Sequence, residues 1–356
     1  MKKIRVLVVD DSAFMRRVIS DIIRVHPELE VMDTARDGIT ALEKIKARRP
    51  DVVTMDLEMP RLDGLETMKR IMVEHPLPVI MLSTHTKVGS EVTLKALDAG
   101  AVDFMSKPTT GSSIITPEES MEELKNILPQ KIIAASSAEV RLITAREPVP
   151  AQKPVNKTSS TRAHGEKARV IIAIGASTGG PKVLEKVFSG LPANLPAAVL
   201  LSQHMPPGFT LSFAQRLDMM SPLKVKEAEN GDALLKGHAL VAPGGYHMVI
   251  KNELVTLDVG PRVNYVRPAI DVMLESLVDC DQKMVVVILT GMGKDGAGGT
   301  VALKERKKDS IVIVQDPATA LIPSMPAAVI KTGLCDHQAS IERLSVEVDR
   351  YTRILV

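Results

Sequence analysis

Aromatic side chains are almost absent from this sequence. Phe, Trp and Tyr together make up 2% of its 356 residues, and there is no Trp. Proteins that bind single-stranded nucleic acid usually stack the bases on aromatic rings, so this class of partner is disfavoured. The cores must instead be built from aliphatic side chains and from the 18 methionines.

A large excess of charge is also missing. Lys and Arg number 45 against 43 Asp and Glu, which leaves a net charge of +2. This balance is too even to create a strong field toward nucleic acid or an anionic membrane. The sequence therefore predicts no nucleic-acid partner and no charge-driven membrane binding.

Features of membrane-spanning and secreted proteins are missing as well. No apolar run approaches the roughly 18 residues that a membrane helix needs, and the initial MKKIRVLVVDD has the pattern of a charged strand rather than a signal peptide. The two cysteines, Cys280 and Cys335, lie far apart without C-x-x-C spacing, which fits a reducing compartment. We expect a cytoplasmic protein without membrane insertion.

The sequence does contain a regular alternation of short aliphatic runs and amphipathic stretches. It begins with IRVLVVD, FMRRVISDIIRVH and LEVMDTA, and it resumes from Arg169 with VIIAIG and AAVLLSQ. Such alternation predicts parallel sheets covered by helices. Between the two series lies a stretch with Pro, Ser and Thr and little apolar periodicity, as in linkers. We expect two doubly wound α/β domains, at 1–130 and 168–356, joined by a linker at 131–167.

Three carboxylates follow strands of the first predicted sheet. Asp10 and Asp11 end the first strand, and Asp56 ends the strand VVTMD. The carboxyl ends of parallel strands share one edge, so these side chains should converge, and such hard oxygen ligands suit Mg²⁺. Lys107, just before Pro108, adds a cation suited to a phosphoryl group. Solvated loop residues would be the simpler interpretation, but it leaves the ordered set DD, D-x-E-M-P, IMLST and KP to chance.

On these ordered motifs, residues 1 to about 130 resemble the receiver domain of two-component response regulators. The resemblance implies a flavodoxin-like fold in which Asp56 is the phospho-acceptor. It further implies a Mg²⁺ site, formed by three carboxylates and one backbone carbonyl, from Asp10, Asp11, Asp56 and Glu58.

The resemblance also implies a switch beside the acceptor. Lys107 would contact the phosphoryl group, while Ser83 and Phe104 match the hydroxyl and aromatic switch positions. A new dianion at Asp56 would recruit the Ser83 hydroxyl and reshape the neighbouring surface.

The second domain opens with IGASTGGPK, in which Gly175 to Gly179 fit the pattern G-x-S-x-G around Ser177. This pattern is typical of a sharp strand-to-helix turn that presents a serine hydroxyl beside free backbone N–H groups. A phosphate-binding loop is a weaker alternative, because Pro181 stands where its lysine should be. A plain tight turn remains open from this stretch alone.

Two further side chains are predicted at the same sheet edge. His204 follows the strand AAVLLSQ, and Asp295 follows the strand MVVVILT. With Ser177 they supply a nucleophile, a base and a carboxylate that orients the base. The chain order Ser, His, Asp differs from the order usual in α/β-hydrolases. His247, after the turn APGG, is a second candidate base.

A nucleotide site is the main rival interpretation of this domain. GMGKDG, residues 291–296, is a literal G-x-G-x-x-G after a strand, and Asp316 ends the next strand. Its late position in the domain argues against a dinucleotide fingerprint, and it leaves Ser177 and His204 without a role. A module that only binds receptor or kinase is a third possibility.

The ordered motifs GASTGGP, QHMP, APGG, LTGMGKDGAGG and QDPAT closely resemble the chemotaxis-specific protein-glutamate methylesterases, the CheB family. The resemblance covers both domains. It implies a Rossmann-like second domain without a cofactor, a Ser177, His204 and Asp295 triad, and Thr178 and Met292 beside the oxyanion. The chain departs from the family at Ser324, where we expect glycine.

The resemblance implies a glutamate γ-methyl ester on the cytoplasmic helices of a chemoreceptor as substrate, with glutamine deamidation as a related activity. A chemotaxis histidine kinase would be the phosphodonor, and the chain would act as a monomer. From the receiver and the linker we expect that the unphosphorylated receiver covers the catalytic edge and that phosphorylation at Asp56 loosens it.

Overall fold

The computed structural model describes residues 2–84, 87–108, 116–138 and 165–356. The chain divides into two units, with the division between Val149 and Pro150. Most of the predicted linker, residues 139–164, lies outside the described residues. In the described parts of the chain, no helix is both long enough and apolar enough to cross a membrane.

The first unit is a parallel sheet whose five strands pair in the order β2-β1-β3-β4-β5. The order reverses between β1 and β3, which is where ligands bind in doubly wound sheets. Its elements are β1 (Ile4–Val9), α1 (Ala13–Val25), β2 (Leu29–Ala35), α2 (Gly38–Ala47), β3 (Val52–Asp56), α3 (Gly64–Glu74), β4 (Val79–Ser83), α4 (Lys87–Asp98), β5 (Asp103–Ser106) and α5 (Pro117–Ser136).

Short polar caps set the limits of these helices. Asp37 accepts a hydrogen bond from the Thr40 N–H at the start of α2, and Asp63 does the same for Glu66 at the start of α3. Helix α5 begins at Pro117 and continues past residue 130, the predicted end of the first domain, to Ser136.

The second unit is built on seven parallel strands in the order β14-β13-β12-β6-β7-β9-β8, with a separate β10-β11 hairpin. The predicted α/β class is confirmed in both units. The elements are β6 (Val170–Ala176), α6 (Gly180–Gly190), β7 (Ala197–Gln203), α7 (Phe209–Met220), β8 (Lys224–Glu227), β9 (His238–Val241), β10 (His247–Lys251), β11 (Leu254–Asp258), α8 (Ile270–Ser276), β12 (Lys283–Ile288), α9 (Ala297–Arg306), β13 (Ile311–Gln315), a 3-10 turn (Pro317–Thr319), α10 (Ser324–Lys331), β14 (His337–Ala339) and α11 (Leu344–Leu355).

The core of the second unit surrounds its central strands. Every residue of β6 and β7 is buried, and so is every residue of β12 after Lys283. Aliphatic side chains fill most of this core, and three of the five phenylalanines, Phe188, Phe209 and Phe213, are among its largest fully buried members. These three phenylalanines therefore serve packing, and the central strands provide a rigid base for the turns at their carboxyl ends.

Candidate active site and acidic cluster

The acidic cluster of the first unit forms where the strand order reverses. One carboxylate oxygen from each of Asp10, Asp11 and Asp56 lies within 4.8 Å of the others. Asp10 and Asp56 are buried, while Asp11 is exposed. The Lys107 Nζ lies 2.7 Å from Asp10 Oδ2 and 2.7 Å from Asp56 Oδ2. The four predicted residues are therefore together, in an arrangement typical of a Mg²⁺ site.

Burial and like charge disfavour the ionised form of Asp56 in this cluster. Burial raises the pKa of Asp56 to about 6, with a further contribution from the Asp10 charge and against the pull of Lys107. For Lys107, burial opposes the charged form, but the hydrogen bonds to both carboxylates hold its pKa above the ordinary value. The cluster thus has one lysine for three carboxylates, so its oxygen ligands fit a divalent cation.

The predicted switch residues lie beside this cluster. Ser83 is buried at the end of β4, and its carbonyl accepts a hydrogen bond from the Lys107 N–H at 2.8 Å. Phe104 is 4% exposed in the neighbouring strand, three residues before Lys107. Glu58 directs its backbone N–H to Asp56 Oδ1 at 3.4 Å. Ser83 and Glu58 are therefore linked directly to Lys107 and Asp56, whereas Phe104 lies in β5, two strands away from β3.

Two supporting residues of the cluster were not predicted. The Arg16 guanidinium donates to the backbone carbonyls of Asp10 at 2.8 Å and Asp11 at 2.9 Å. Gly64 approaches Asp56 so closely that a Cβ there would lie 2.0 Å from the Asp56 carbonyl oxygen. The spacing of Arg16 from Asp10 offered a weak signal, because both residues flank the β1–α1 turn.

In the second unit, Ser177 occupies the turn between β6 and α6. Its N–H donates to the Thr290 carbonyl at 3.0 Å, and its carbonyl accepts from Gln203 Nε2 at 3.0 Å and from the Gly180 N–H at 2.8 Å. Gly179 has a φ of 77°, a backbone conformation that favours glycine. The backbone around the serine is therefore fixed by bonds to both neighbouring strands.

His204 and Asp295 meet in front of that turn. They follow β7 and β12, the two strands that flank β6, and His204 Nε2 lies 2.7 Å from Asp295 Oδ2. Asp295 therefore engages Nε2 and leaves Nδ1 as the other ring nitrogen of His204. Serine proteases of the trypsin type use the two ring nitrogens the other way round.

Asp295 is held by the amino end of α8. The N–H groups of Ile270 and Asp271 donate to its two oxygens at 2.7 and 3.0 Å, and Asn264 Nδ2 lies 3.3 Å from Oδ1. Burial alone would raise the pKa of Asp295, but the hydrogen bond and charge of His204, together with the two N–H groups, lower it to about 2. Asp295 is therefore an anion at any physiological pH.

A second carboxylate, Asp271, supports the first and was not predicted from the sequence. Its Oδ1 accepts from the N–H groups of Gly296 at 2.8 Å and Gly299 at 2.7 Å, at the start of α9. Thus Asp295, which precedes α9, binds the start of α8, while Asp271, within α8, binds the start of α9. Burial and then the Asp295 charge raise the pKa of Asp271 to about 6.

The predicted oxyanion residues lie on either side of the serine. Thr178 follows Ser177 and is 1% exposed. Met292 is half-buried in the turn after β12. The start of that turn is in contact with the serine, because a Cβ on Gly291 would lie 2.8 Å from Ser177 Cβ. Thr178 and the turn that carries Met292 are therefore both near Ser177, which is where an oxyanion site would have to form.

Comparison with known proteins identifies the family of this chain. Residues 6–117 match the response regulator receiver domain, and residues 172–348 match the CheB methylesterase family. A Pyrococcus abyssi protein named protein-glutamate methylesterase/protein-glutamine glutaminase is 46% identical, over 99% of this chain and 95% of its own length. The chain belongs to the CheB family.

Other CheB proteins are similar to the whole chain or to its second unit. The Geobacillus kaustophilus protein of the same name is 44% identical, over 98% of each chain. The crystal structure of the Thermotoga maritima CheB methylesterase catalytic domain is 38% identical, covers 52% of this chain and 100% of its own, and has a TM-score of 0.49.

Both ring nitrogens of His247, the second candidate base, make hydrogen bonds to the backbone of this CheB chain. Nε2 donates to the Pro261 carbonyl at 3.0 Å, and Nδ1 accepts from the Ala269 N–H at 3.1 Å. Burial lowers the pKa of His247, so the neutral ring is favoured. Its bonds hold the loop before α8, whose first N–H group binds Asp295.

The two carboxylates that a nucleotide site would use make other hydrogen bonds in this structure. Asp295, which lies within GMGKDG, binds His204, and Asp316 accepts a hydrogen bond from the Ala318 N–H at 2.9 Å as the cap of the 3-10 turn. Gly291 and Gly296 of the motif instead let the chain approach Ser177 and α8. Family membership and these contacts both favour an esterase site over a dinucleotide site.

Proposed function

We propose that the second unit hydrolyses glutamate γ-methyl esters on the cytoplasmic helices of chemoreceptors, giving glutamate and methanol, and deamidates glutamines there. The chain is a phosphorylation-regulated protein-glutamate methylesterase/protein-glutamine glutaminase that acts in chemotaxis. The observation that carries the assignment of residues is the 2.7 Å contact between His204 and Asp295 at the edge where Ser177 emerges.

In this mechanism the Ser177 hydroxyl attacks the ester carbonyl carbon. His204 Nδ1 accepts the hydroxyl proton as the bond between Oγ and carbon forms, and the anionic Asp295 stabilises the imidazolium through Nε2. The tetrahedral oxyanion is held by the backbone N–H groups of Thr178 and Met292. The imidazolium then gives its proton to the leaving methanol, which leaves an acyl-serine.

Water completes the cycle. His204 removes a proton from the water as it attacks the acyl carbon, and it returns the proton to Ser177 Oγ when the glutamate is released. A glutamine side chain would follow the same steps, with ammonia as the leaving group. Asp295 stays ionised throughout, since its pKa is about 2.

For the first unit, we propose Asp56 as the phospho-acceptor and a chemotaxis histidine kinase as the donor. Mg²⁺ would be held by the carboxylates of Asp10, Asp11 and Asp56 with the Glu58 carbonyl. When bound, it would neutralise the charge between the acceptor and the incoming phosphoryl group. This proposal is supported by the cluster of three carboxylates, in which one oxygen from each residue lies within 4.8 Å of the others.

The switch would use groups already at this edge. Lys107 would exchange part of its contact with Asp56 for the phosphoryl group, and the Ser83 hydroxyl would turn to donate to it. Phe104, buried in the next strand, would follow the movement of Ser83. We place the chain in the cytoplasm, in line with its free Cys280 and Cys335, and propose that it acts as a monomer.

The test is methanol release from methylated chemoreceptor membranes, with and without a small phosphodonor. We expect Ser177→Ala to abolish release, whereas Ser202→Ala, which removes a buried hydroxyl on the adjacent strand, should preserve it. Asp56→Asn should remove only the rise in methanol release that the phosphodonor causes. Asp63→Asn, at a helix cap, is its control and should keep that rise. Undiminished release by Ser177→Ala would contradict the proposal.

A further inference from the structure

The turn that carries Met292 is clamped by the start of α10. Ser324 Oγ donates to the Gly291 carbonyl at 2.9 Å and accepts from the Gly293 N–H at 3.1 Å. The Met325 N–H donates to the same Gly291 carbonyl at 3.0 Å. One hydroxyl thus bridges both sides of Met292, and two donors converge on one carbonyl oxygen.

The geometry of the peptide group connects this clamp to the oxyanion site. The Gly291 carbonyl and the Met292 N–H belong to the same planar trans peptide, so they point in opposite directions. Fixing the carbonyl therefore fixes the direction of the N–H. Hydrogen bonds to the carbonyl oxygen also polarise the peptide, which makes its N–H a stronger donor.

Glycine on both sides makes an external clamp useful here. Gly293 has a φ of 87°, so the turn is built from residues with wide conformational freedom. Gly291 must stay small, because a Cβ there would lie 2.2 Å from Met325 Sδ and 2.8 Å from Ser177 Cβ. The backbone that permits close approach to the serine would also permit the peptide to rotate.

We propose that Ser324 is a positioning residue for the hydrolysis, which orients the Met292 N–H toward the oxyanion by binding Gly291 and Gly293. This inference rests on the proposed role of Met292 in the oxyanion site. Ser324 occupies the position where the family resemblance led us to expect glycine, which has no side chain to make these bonds. Because Ser324 is exposed, water can replace its hydrogen bonds but cannot hold the turn in one orientation.

The experiment compares Ser324→Ala and Ser324→Thr with a matched control in the same helix. Thr332 makes the same pair of bonds at the other end of α10: its Oγ1 donates to the Val329 carbonyl at 2.7 Å and accepts from the Leu334 N–H at 3.2 Å. Thr332→Ala therefore removes an equivalent hydroxyl without touching the turn.

Removing a whole oxyanion donor usually lowers kcat by about 10²- to 10³-fold, so a loosened donor should cost about tenfold. We expect Ser324→Ala to lower kcat about tenfold with KM unchanged, because the donor acts in the transition state. The inhibition constant of methylboronic acid, which forms a tetrahedral adduct with serine, should rise by the same factor. Ser324→Thr should stay within about threefold of the unaltered chain, and Thr332→Ala should not change kcat.

Thermal unfolding would verify that each variant is folded. A kcat of Ser324→Ala within twofold of the unaltered chain would overturn the inference. So would an unchanged boronate constant, or an equal loss in Thr332→Ala. The Ser177→Ala variant distinguishes failure of this inference from failure of the proposed function. If Ser177→Ala is active, the esterase mechanism is refuted. If Ser177→Ala is inactive and Ser324→Ala has normal activity, only the role of Ser324 is refuted.

Discussion

Replacing Asp271 by asparagine should stabilise the second unit at neutral pH. The Asp271 carboxylate is partly buried next to the ionised Asp295, and these two causes, burial first, raise its pKa from 3.8 to about 6. An asparagine keeps an oxygen for the N–H groups of Gly296 and Gly299, but it carries no charge. Its amide can also donate to Asp295, as the protonated carboxyl would.

The size of the effect follows from the pKa. A folded-state pKa above the unfolded value means that ionisation of Asp271 destabilises the fold. The cost is absent below about pH 4, grows between pH 4 and 6, and is complete above 6. A rise from 3.8 to about 6, at about 1.4 kcal/mol per pKa unit, corresponds to about 3 kcal/mol. Since an amide only approximates a protonated carboxyl, we expect Asp271→Asn to gain about 2 kcal/mol at pH 7.5 and less than about 1 kcal/mol at pH 4.

Scanning calorimetry of the intact chain at pH 7.5 and pH 4 would measure this difference. For a unit of this size, about 2 kcal/mol should raise the unfolding temperature by roughly 4 to 8 °C at pH 7.5. Asp316→Asn, at the cap of the 3-10 turn, controls for replacing a capping carboxylate by an amide. A gain that is equal at both pH values, or a loss at pH 7.5, would refute the electrostatic reasoning.

Three further variants test the two sites. Asp295→Asn should lower kcat for methanol release by about 10⁴-fold, because the imidazole loses its orienting anion; a loss below tenfold would contradict that role. Gly291→Ala should slow labelling of Ser177 by a fluorophosphonate more than tenfold, because the new Cβ would lie 2.8 Å from Ser177 Cβ, and unchanged labelling would disprove the contact. Lys107→Met should destabilise the first unit by about 3 to 5 kcal/mol in EDTA, since it leaves buried carboxylates such as Asp56 without a cation. In urea titrations, Mg²⁺ should restore more stability to this variant than to the unaltered chain, and an equal effect on both would count against a metal site.

Much of the architecture could be predicted because the informative residues directly follow buried aliphatic strands. Asp56 follows VVTM, Ser177 follows VIIAIGA and His204 follows AAVLLSQ. In a parallel sheet this position alone brings side chains to one edge, whatever their separation in sequence. The acidic cluster and the contact between His204 and Asp295 needed no further information.

Short polar strands could not be predicted in this way. Strand β8 reads KVKE and β14 reads HQA, and both lie at the edges of the second sheet. Edge strands are exposed on one side, so they need no continuous apolar run. Their sequences are therefore hard to tell from those of loops.

The supporting residues of the proposed active site could not be predicted from the sequence either. Asp271, Asn264 and Ser324 act through contacts between loops and helix ends that are 25 to 33 residues apart along the chain. Neither hydrophobic periodicity nor a spaced motif encodes how closely two helix ends approach. Only the packing of α8, α9 and α10 on the sheet brings these polar groups within reach of the turn beside Ser177.

The three proposed catalytic residues follow β12, β6 and β7, which are adjacent inner strands with a paired neighbour on each side. Amide protons in such strands exchange with solvent only through openings that cost nearly the whole free energy of unfolding, whereas edge strands can open locally at much lower cost. Fraying of β8 or β14 therefore leaves the spacing of Ser177, His204 and Asp295 intact. The spacing of these three residues should therefore persist for as long as the fold itself, even while the sheet edges open and close.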